Sequence, residues 1–443
     1  MKPTLNIKIK SATLFKFALP TMISNIFMSV YMTVDGIFVA NCVNTDALSA
    51  VNIIMPYVMI VLALGTMIGT GGSAIVSVQI GEGKKREAKE NFSFLSLFCF
   101  AACTLISVLS LVFHESLIMI LGANEVIYDY CRDYAIPLFI VAPMALLGMA
   151  LQPFFIAAGR PGLGMAFSLA GGIVNIFLDW LLIANLGMET TGAALATGIG
   201  YSIPGIAGVI YFTVKRKGLL TFVKPRLRSK VLLKTITNGS SEMVAMTATG
   251  ITTVMMNNIV MGFSGEDGVA AISILIYTMS LLTSVYMGYS LGVAPITSYN
   301  YGAGNTDNLK KANKINLKII AVSSVVMYVT GILLKDVLIS IFADRGTTVF
   351  DMAAQGYWLF SISFLYMGFN MYSSSLFTAL GNGKISAIIS FCRALVFLTI
   401  ALYGLSAIFG LPGLYIAMPV AEFMGLGLSV ICIKKMKGRY GYA

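Results

Sequence analysis

Two acids and an amide lie within apolar stretches long enough to cross a bilayer. Asp35 falls inside the apolar run 14–40, while Asn175 and Asp179 lie one helical turn apart in another run. At that spacing the two side chains share one face of a helix. A carboxyl group is costly to keep within lipid, so an intramembrane acid indicates a functional site. Buried carboxyl and amide oxygens are suited to binding a proton or a Na⁺ ion.

Thr197, in the apolar run after that of Asp179, adds a hydroxyl group. At about 1.5 Å of helix rise per residue, Asp35, Asp179 and Thr197 each lie roughly 10 Å below the outer surface. Two ionised aspartates at that depth would repel, and binding of H⁺ or Na⁺ would relieve the repulsion. We therefore predict a cation-coupling site formed by Asp35, Asn175, Asp179 and Thr197. The alternative is that each carboxyl group only hydrogen-bonds a neighbouring helix.

Three further charged residues fall in apolar runs of the second half of the chain. Glu422 and Arg393 lie at comparable depth in consecutive runs, which favours a structural ion pair. Glu242 has no such partner in the sequence. It is either an acid that lines a possible substrate cavity, suited to a cationic substrate, or a structural hydrogen-bond acceptor.

Pro20 precedes Asp35 in the same apolar run. Proline removes a backbone hydrogen bond and kinks a helix. The kink could let ion binding at Asp35 bend the helix and reshape a cavity. A static kink that only aids packing is the alternative.

The chain that must position these residues has 443 residues, 57% of them hydrophobic and 11% charged, and its mean hydropathy is +0.85. That composition predicts an integral all-α membrane protein. Twelve apolar runs meet the length needed to cross a hydrocarbon core of about 30 Å. They cover residues 14–40, 46–79, 91–113, 126–156, 164–186, 191–214, 234–262, 268–300, 315–335, 352–380, 385–408 and 412–433.

Lysine and arginine predict the orientation of these spans. With the N-terminus inside, 26 of the 30 basic residues fall in cytoplasmic segments, so both termini are expected in the cytoplasm. The net charge of +11 then reflects topology and contact with anionic membrane lipids. Because the basic residues are scattered over short loops, we expect no binding to nucleic acid.

The second half of the chain repeats the first. Residues 46–89 match residues 267–310 at a constant offset of 221, with identities that include Gly71 and Gly292 as well as Gly81 and Gly302. Six spans in each half make the repeats parallel, a layout typical of transporters whose cavity lies between two lobes. We predict an N-lobe at 1–214, a cytoplasmic linker at 215–233 and a C-lobe at 234–443.

Several motifs resemble those of the MATE (multidrug and toxic compound extrusion) family, especially its bacterial MepA-like and DinF-like branch. They are residues 17–20 (FALP), 34–39 (VDGIFV), 69–74 (GTGGSA) with 81–83 (GEG), and 295–303 (PITSYNYGA). The resemblance implies a fold of two pseudo-symmetric six-helix lobes. It also implies that Asp35, Asn175, Asp179 and Thr197 form the cation site of the N-lobe, and that Pro20 takes part in proton-linked bending.

The chain departs from one branch of that family, which uses acids in the C-lobe. Residues 352–380 contain no acid. A C-lobe Na⁺ site is therefore not expected, although the helix 7 acid of that branch corresponds to Glu242.

Together these features predict a protein of a bacterial cytoplasmic membrane that acts as a monomer and is not an enzyme. It would export amphipathic organic cations by alternating access, coupled to H⁺ or Na⁺ and without another cofactor. The 26 methionines and 49 aromatic residues are compatible with an adaptable cavity.

Two alternatives remain open. A lipid-linked oligosaccharide flippase would need a cationic cavity, and Arg393 is the one basic residue that lies well away from the ends of a span. A polytopic membrane enzyme would need a metal cluster, nucleophile motif or nucleotide loop, none of which the sequence contains.

Overall fold

The protein is described by a computed structural model that covers the backbone of residues 5–42, 45–215 and 218–442, and their side chains outside 32–48. Every regular element in these ranges is helical, which keeps backbone polar groups bonded within lipid. Ten of the described helices are long and apolar enough to span a membrane. The all-α membrane fold is thus confirmed.

Six membrane-length helices form the N-lobe, and a short helix, His114–Ile120, joins the third to the fourth. They are α1 (Ser11–Cys42), α2 (Thr45–Gly81), α3 (Lys85–Val112), α4 (Tyr128–Ala157), α5 (Pro161–Asn185) and α6 (Glu189–Val214).

The C-lobe begins with a helical stretch, Ser229–Gly302, that is broken at Gly265. The backbone there has φ of 60° and ψ of −149°, a conformation that glycine adopts without steric cost. The break divides the stretch into α7 and α8, so the membrane-length helices among the described residues number twelve, as predicted. The C-lobe helices are α7 (229–264), α8 (266–302), α9 (Thr306–Ser340), α10 (348–379), α11 (Gly383–Phe409) and α12 (Leu411–Tyr440).

Several helices extend beyond the predicted apolar runs. α3 begins at Lys85 rather than at 91, and α9 begins at Thr306 rather than at 315. Hydropathy marks the part of a helix that lipid covers, whereas the hydrogen-bonded helix continues into the polar region outside the membrane.

Each lobe has its own apolar core. The residues of one buried cluster lie between Leu5 and Leu220. A second cluster lies between Met256 and Tyr442 and also includes Ala18 and Met22 of α1. The contribution of α1 to the C-lobe core shows that the lobes pack closely along this helix.

The two lobes touch backbone to backbone where α2 crosses α8. A Cβ atom at Gly81 would overlap the carbonyl oxygen of Tyr299, and one at Gly302 would overlap the carbonyl oxygen of Val78. The two contacts are related by the repeat offset of 221, so they are symmetrical halves of one crossing. Glycine permits this approach because it has no side chain.

Neighbouring helices extend this contact in the same symmetrical way. On α2, a Cβ atom at Gly71 would overlap the carbonyl oxygen of Thr235 on α7. On α8, a Cβ atom at Gly292 would lie 2.8 Å from Cα of Ala18 on α1. The lobes are therefore closed against each other at the end of the molecule that carries the α2–α3 and α8–α9 turns.

The segment between α6 and α7 docks on the N-lobe. The ring of Phe222 stacks on that of Phe92, with centroids 4.9 Å apart. The backbone N–H of Val223 donates to Oγ of Ser93 at 2.9 Å. The described part of the predicted linker is therefore packed against α3.

Arg228 anchors the end of this segment. Its guanidinium forms ion pairs with Glu87 and, at 3.3 Å, with Glu90 of α3. The next residue, Ser229, begins α7. The helix thus starts within the predicted linker range of 215–233.

Candidate functional site

Asn175 and Asp179 lie together inside the N-lobe. Asn175 is 1% exposed and Asp179 is fully buried. The backbone N–H of Asp179 bonds to the carbonyl of Asn175, so the two residues stand one above the other on α5. The structure therefore places the predicted pair on one buried face.

A change in helix type begins at Asp179. Residues Pro161–Leu178 are α-helical, whereas Asp179–Asn185 form a π-helix. Such segments are rare and frequently occur at functional sites, because the wider turn re-aims side chains and loosens backbone hydrogen bonds. The α-to-π junction thus coincides with the predicted coupling residue.

Close packing of α6 on α5 brings Thr197 toward this pair. A Cβ atom at Gly200 would lie 2.8 Å from Cβ of Asn175. Thr197, which is 7% exposed, precedes Gly200 by about one turn and so faces the same side of α6. Asn175, Asp179 and Thr197 therefore belong to one buried polar cluster, which we call the N-lobe cluster.

The N-lobe cluster offers oxygen ligands. Neither Oδ1 nor Nδ2 of Asn175 has a hydrogen-bond partner among the described residues. Asp179 and Thr197 each interact with another group of the chain. A buried amide without a partner is costly, and a bound cation or its water would satisfy it. Carboxylate, amide and hydroxyl oxygens suit a hard cation such as Na⁺.

The prediction for Asp35 concerns a side chain outside the described residues. Its backbone belongs to α1. One turn earlier, Tyr31 is in contact with α5, because a Cβ atom at Gly172 would lie 3.1 Å from Cδ1 of Tyr31. The described part of α1 therefore packs on the helix that carries the N-lobe cluster.

Pro20 lies within α1, which remains helical on both sides of it. It stands between Ala18 and Met22, the α1 residues against which α8 packs at Gly292 and Gly288. The backbone hydrogen bond that Pro20 cannot donate is therefore missing at the point where α1 crosses the C-lobe.

A small cavity, about 20 Å³, lies between α1, α4, α5 and α6, and none of the three N-lobe cluster residues lines it. Its walls include Tyr31, Gln152, Gly172 and Gly200. Gln152 donates from Nε2 to Oγ of Ser24 at 2.9 Å. A volume of this size holds about one water molecule.

The C-lobe contains a larger cavity, about 160 Å³, which we call the C-lobe cavity. Glu242 of α7 and Arg393 of α11 both line it. Three methionines, Met246, Met287 and Met371, also contribute to its wall. The structure therefore places Glu242 at a cavity, and flexible thioether side chains surround it.

Arg393 and Glu422 form the ion pair that the sequence favoured. Nη1 of Arg393 lies 2.7 Å from Oε1 of Glu422, whose side chain is 3% exposed. Asn370 donates from Nδ2 to Oε2 of Glu422 at 2.7 Å, and Ser429 donates to Oδ1 of Asn370 at 2.9 Å. Both carboxylate oxygens of Glu422 are thus occupied. Arg393 also lies in a π-helical segment, Cys392–Phe397.

The sequence reasoning did not identify Asn370, Ser429 or Ser290. Ser290 lines the C-lobe cavity, is 2% exposed, and its hydroxyl has no hydrogen-bond partner among the described residues. An asparagine inside the 352–380 run was a usable signal, because amides are also costly within lipid. Serines gave none, since many serines in helices bond to their own backbone.

The described residues contain no group of three or more His, Cys, Asp or Glu side chains that could hold a metal ion. The one basic residue on the wall of the C-lobe cavity, Arg393, is already paired. This arrangement does not favour binding of a pyrophosphate headgroup, as a flippase would require.

Comparison with known proteins agrees with this architecture. The MatE family model matches the chain twice, over residues 20–181 and 242–403. The multidrug export protein MepA of Staphylococcus haemolyticus is 25% identical over 430 residues, which cover 96% of this chain and 93% of the relative.

Solved structures of MATE transporters share the fold. A MATE protein in complex with MaL6 superposes with a TM-score of 0.89 at 21% identity, covering 97% of each chain. An outward-facing multidrug resistance MATE transporter gives a TM-score of 0.88, also at 21% identity and 97% of each chain.

Proposed function

The chain belongs to the MatE family, and on that premise we propose that it is an antiporter that exports amphipathic organic cations. Inward movement of H⁺ or Na⁺ drives this export. The protein resides in a bacterial cytoplasmic membrane with both termini inside and works as a monomer. The relatives named as multidrug exporters support the export of small molecules.

The buried polar cluster of the N-lobe is the single observation that carries this proposal. Asp179 is fully buried in a membrane-spanning helix, and the amide of Asn175 one turn away has no partner among the described residues. Such a group is expensive to maintain for packing alone. A proton or a Na⁺ ion bound there neutralises the carboxylate.

We propose that Asp35 completes this site. It follows Tyr31 by about one turn on α1, and Tyr31 packs against Gly172 on α5. One turn beyond Gly172, α5 carries Asn175. Asp35, Asn175, Asp179 and Thr197 then supply two carboxylates, an amide and a hydroxyl to one coupling ion.

Two conformations suffice for transport. In the outward-facing state the coupling ion binds the N-lobe cluster and drug is released, and in the inward-facing state the reverse occurs. Ion and drug need not touch, because each can favour a different conformation. Pro20 contributes by letting α1 bend where it crosses α8.

The state described here is closed at the glycine crossing of α2 and α8. Positive-inside topology places the nearby α2–α3 turn, with Lys84 and Lys85, in the cytoplasm. The closed end is then the inner end, so the molecule is outward-facing. Drug loading requires Gly81 and Gly302 to separate from the opposite lobe.

The C-lobe cavity supplies a place for the drug. Glu242 gives it negative charge and the methionines adapt to varied apolar shapes. A cationic amphipathic molecule matches both properties.

The test is export from proteoliposomes that contain the purified protein and a fluorescent organic cation. A pH gradient and a Na⁺ gradient are imposed separately. The ion whose gradient drives export, when no export occurs in the absence of any gradient, is the coupling ion. Equal flux with and without gradients would contradict ion coupling.

Variants locate the coupling site. Asp35→Asn and Asp179→Asn are expected to lower gradient-driven export at least tenfold, since an amide carries no titratable charge. The matched control is Asp351→Asn, which changes an exposed acid at the start of α10. Normal coupled export by both site variants would exclude the N-lobe cluster as the coupling site.

A further inference from the structure

We propose that a basic cavity between α3 and the segment before α7 binds the phosphate group of an anionic phospholipid. This cavity, which we call the α3 cavity, has a volume of about 470 Å³, against about 160 Å³ for the C-lobe cavity. It is lined by Lys85, Arg86, Lys89, Glu90, Val223 and Lys224. The N-lobe cluster and the C-lobe cavity share no residue with it, so the inference does not depend on what the protein exports.

The docked segment, residues 218–228, forms one wall of the α3 cavity. The stacking of Phe222 on Phe92 and the hydrogen bond from Val223 hold this segment on α3. Val223 and Lys224 line the cavity from the docked segment, and the first turns of α3 line it from the other side. A ligand in the cavity therefore bridges the N-lobe and the chain that leads into the C-lobe.

The acids beside the α3 cavity already have partners. Glu90 lies 3.1 Å from Arg86 and 3.3 Å from Arg228. Glu87 also forms an ion pair with Arg228. Two acids and two arginines thus balance each other in charge.

Three lysines of the cavity wall remain without such a partner. Lys85, Lys89 and Lys224 belong to none of the ion pairs formed by the side chains that the structure describes. Lys85 and Lys89 stand one turn apart on the same face of α3, and Lys224 adds its charge from the docked segment. The cavity therefore has a surplus of three positive charges. Ammonium groups of lysine are suited to binding phosphate oxygens.

The α3 cavity lies at the depth of lipid headgroups. The apolar run of α3 begins at residue 91, so Lys89 and Lys85 lie roughly 3 and 9 Å outside it along the helix. The headgroup layer is about 5–7 Å thick on each side of a bilayer. Positive-inside topology places this end of α3 at the cytoplasmic leaflet, where anionic lipids attract basic residues.

Apolar side chains of the docked segment favour a lipid over a soluble phosphate ion. Val223 in the cavity wall is 37% exposed, and Leu227 further along the segment is 81% exposed. Apolar surface is costly to leave in water, and acyl chains would cover it. The segment thus offers positive charge to a headgroup and apolar surface to the tails of the same molecule.

The equivalent place in the C-lobe lacks this surplus. At the repeat offset of 221, Lys85 and Arg86 correspond to Thr306 and Asp307 at the start of α9. A helix in this position therefore forms without basic residues in its first turn. The lysines of the α3 cavity are not required by the fold, which supports a role in binding.

The experiment measures lipid binding to the purified full-length protein by native mass spectrometry. The probes are dioleoylphosphatidylglycerol, which is anionic, and dioleoylphosphatidylcholine, which has the same acyl chains and no net charge. We expect the wild type to bind the first phosphatidylglycerol about tenfold more tightly than phosphatidylcholine. Equal affinities for the two lipids would overturn the proposal.

The main variant combines Lys85→Gln, Lys89→Gln and Lys224→Gln, which removes the surplus charge and keeps the ion pairs of α3. It is expected to weaken phosphatidylglycerol binding about tenfold and phosphatidylcholine binding less than about twofold. Polar glutamines at these partly or fully exposed positions should leave the fold intact.

The matched control removes three exposed lysines near the start of α9, at the same face of the membrane, as Lys310→Gln, Lys311→Gln and Lys314→Gln. It has the same net charge as the main variant and should weaken phosphatidylglycerol binding less than about threefold. Equal losses in the two triple variants would overturn the proposal, because the preference would then reflect net charge alone.

Two further measurements test the wall and the source of the phosphate. Lys224→Gln alone should weaken phosphatidylglycerol binding severalfold, and wild-type affinity in this variant would overturn the part of the docked segment. Inorganic phosphate at millimolar concentration should not displace the bound lipid. Displacement would overturn the lipid and identify a site for a soluble anion. None of these measurements involves transport, so failure of this proposal and failure of ion-coupled export are distinguishable.

Discussion

In the N-lobe, the buried carboxyl group of Asp179 stands above an amide, whereas in the C-lobe the buried carboxyl group of Glu422 is paired with an arginine. Both acids are almost inaccessible to solvent. In the coupling site that we propose for the N-lobe, a bound H⁺ or Na⁺ neutralises the charge. In the C-lobe the chain provides its own cation, so the site is permanently neutral.

The repeat shows that neither cluster has a counterpart in the other lobe. Gly159 and Gly381 set an offset of 222 for the fifth helix of each lobe. At that offset Asp179 corresponds to Ala401, and Arg393 corresponds to Gly171.

The sixth helix of each lobe likewise lacks counterparts of the buried polar residues of the other lobe. Gly192 and Gly413 set their offset at 221, so Glu422 corresponds to Tyr201 and Thr197 corresponds to Met418. The two lobes therefore share the same arrangement of helices, but buried polar and charged residues occupy different positions in each. We propose on this basis that ion coupling is confined to the N-lobe.

Replacing the buried acid of each lobe, Glu422 or Asp179, should produce the largest difference in the free energy of unfolding. Glu422→Ala leaves Arg393, whose side chain is 13% exposed, without its partner, and we expect the free energy of unfolding to fall by about 3 kcal/mol. Asp179→Asn keeps a hydrogen-bonding group and should change it by less than about 1 kcal/mol. Thermal unfolding in detergent micelles measures both. Equal losses would mean that Asp179 is also a structural residue.

At the glycine crossing the two lobes should instead behave alike. Gly81→Leu and Gly302→Leu each force a side chain against a backbone carbonyl, so we expect about 1–3 kcal/mol of destabilisation of the closed inner end. Hydrogen exchange at the ends of α2 and α8 should rise to the same extent in both variants.

The control for this pair is Gly427→Leu on α12, where a Cβ atom meets no neighbour within 4 Å. It should leave exchange at the crossing unchanged. A clear difference between Gly81→Leu and Gly302→Leu would show that the crossing is not symmetrical in energy.

Smaller substitutions beside the buried polar groups of the two lobes should show which lobe sets the ion dependence of export. A Cβ atom at Gly200 lies 2.8 Å from Cβ of Asn175, and one at Gly425 lies 2.9 Å from Nδ2 of Asn370. Each alanine variant should shift its neighbour at a cost of about 1 kcal/mol, equivalent to roughly fivefold in an equilibrium constant.

We expect Gly200→Ala to raise the concentration of coupling ion needed for half-maximal export about fivefold. Gly425→Ala should leave that concentration unchanged. Ion titrations of export by the two proteins test this difference. The reverse pattern would assign the coupling site to the C-lobe.

The smallest effect concerns the bend of α1. Pro20 corresponds to Ser241 in α7, so only one lobe carries this interruption. Pro20→Ala restores a backbone hydrogen bond and stiffens the helix, and we expect export to slow about threefold with little change in stability. Pro56→Ala, an exposed proline of α2, is the control and should export at the wild-type rate. Equal rates for all three proteins would leave Pro20 with a packing role.

Charged residues are rare in the middle of the spans, and this made some contacts of the structure predictable from the sequence. Arg393 and Glu422 could be paired because almost no other charged residues lie in the spans. Asn175 and Asp179 could be placed on one face because helix geometry fixes the spacing of side chains. The twelve spans followed from hydropathy, which measures directly what lipid requires.

Features without a compositional signal could not be predicted. The π-helical segments that begin at Asp179 and Cys392 depend on how neighbouring helices pack, and no residue pattern marks them. Ser290 and Ser429 resemble the many other serines of the chain until their neighbours are known.

The docked segment before α7 affects the order in which the protein folds during synthesis. Leu220 is 1% exposed and belongs to the N-lobe core, and Phe222 covers Phe92. The ribosome has already completed α6 when these residues emerge. The N-lobe core is therefore complete only after the chain has been extended beyond α6 to Phe222, a few residues before α7 begins.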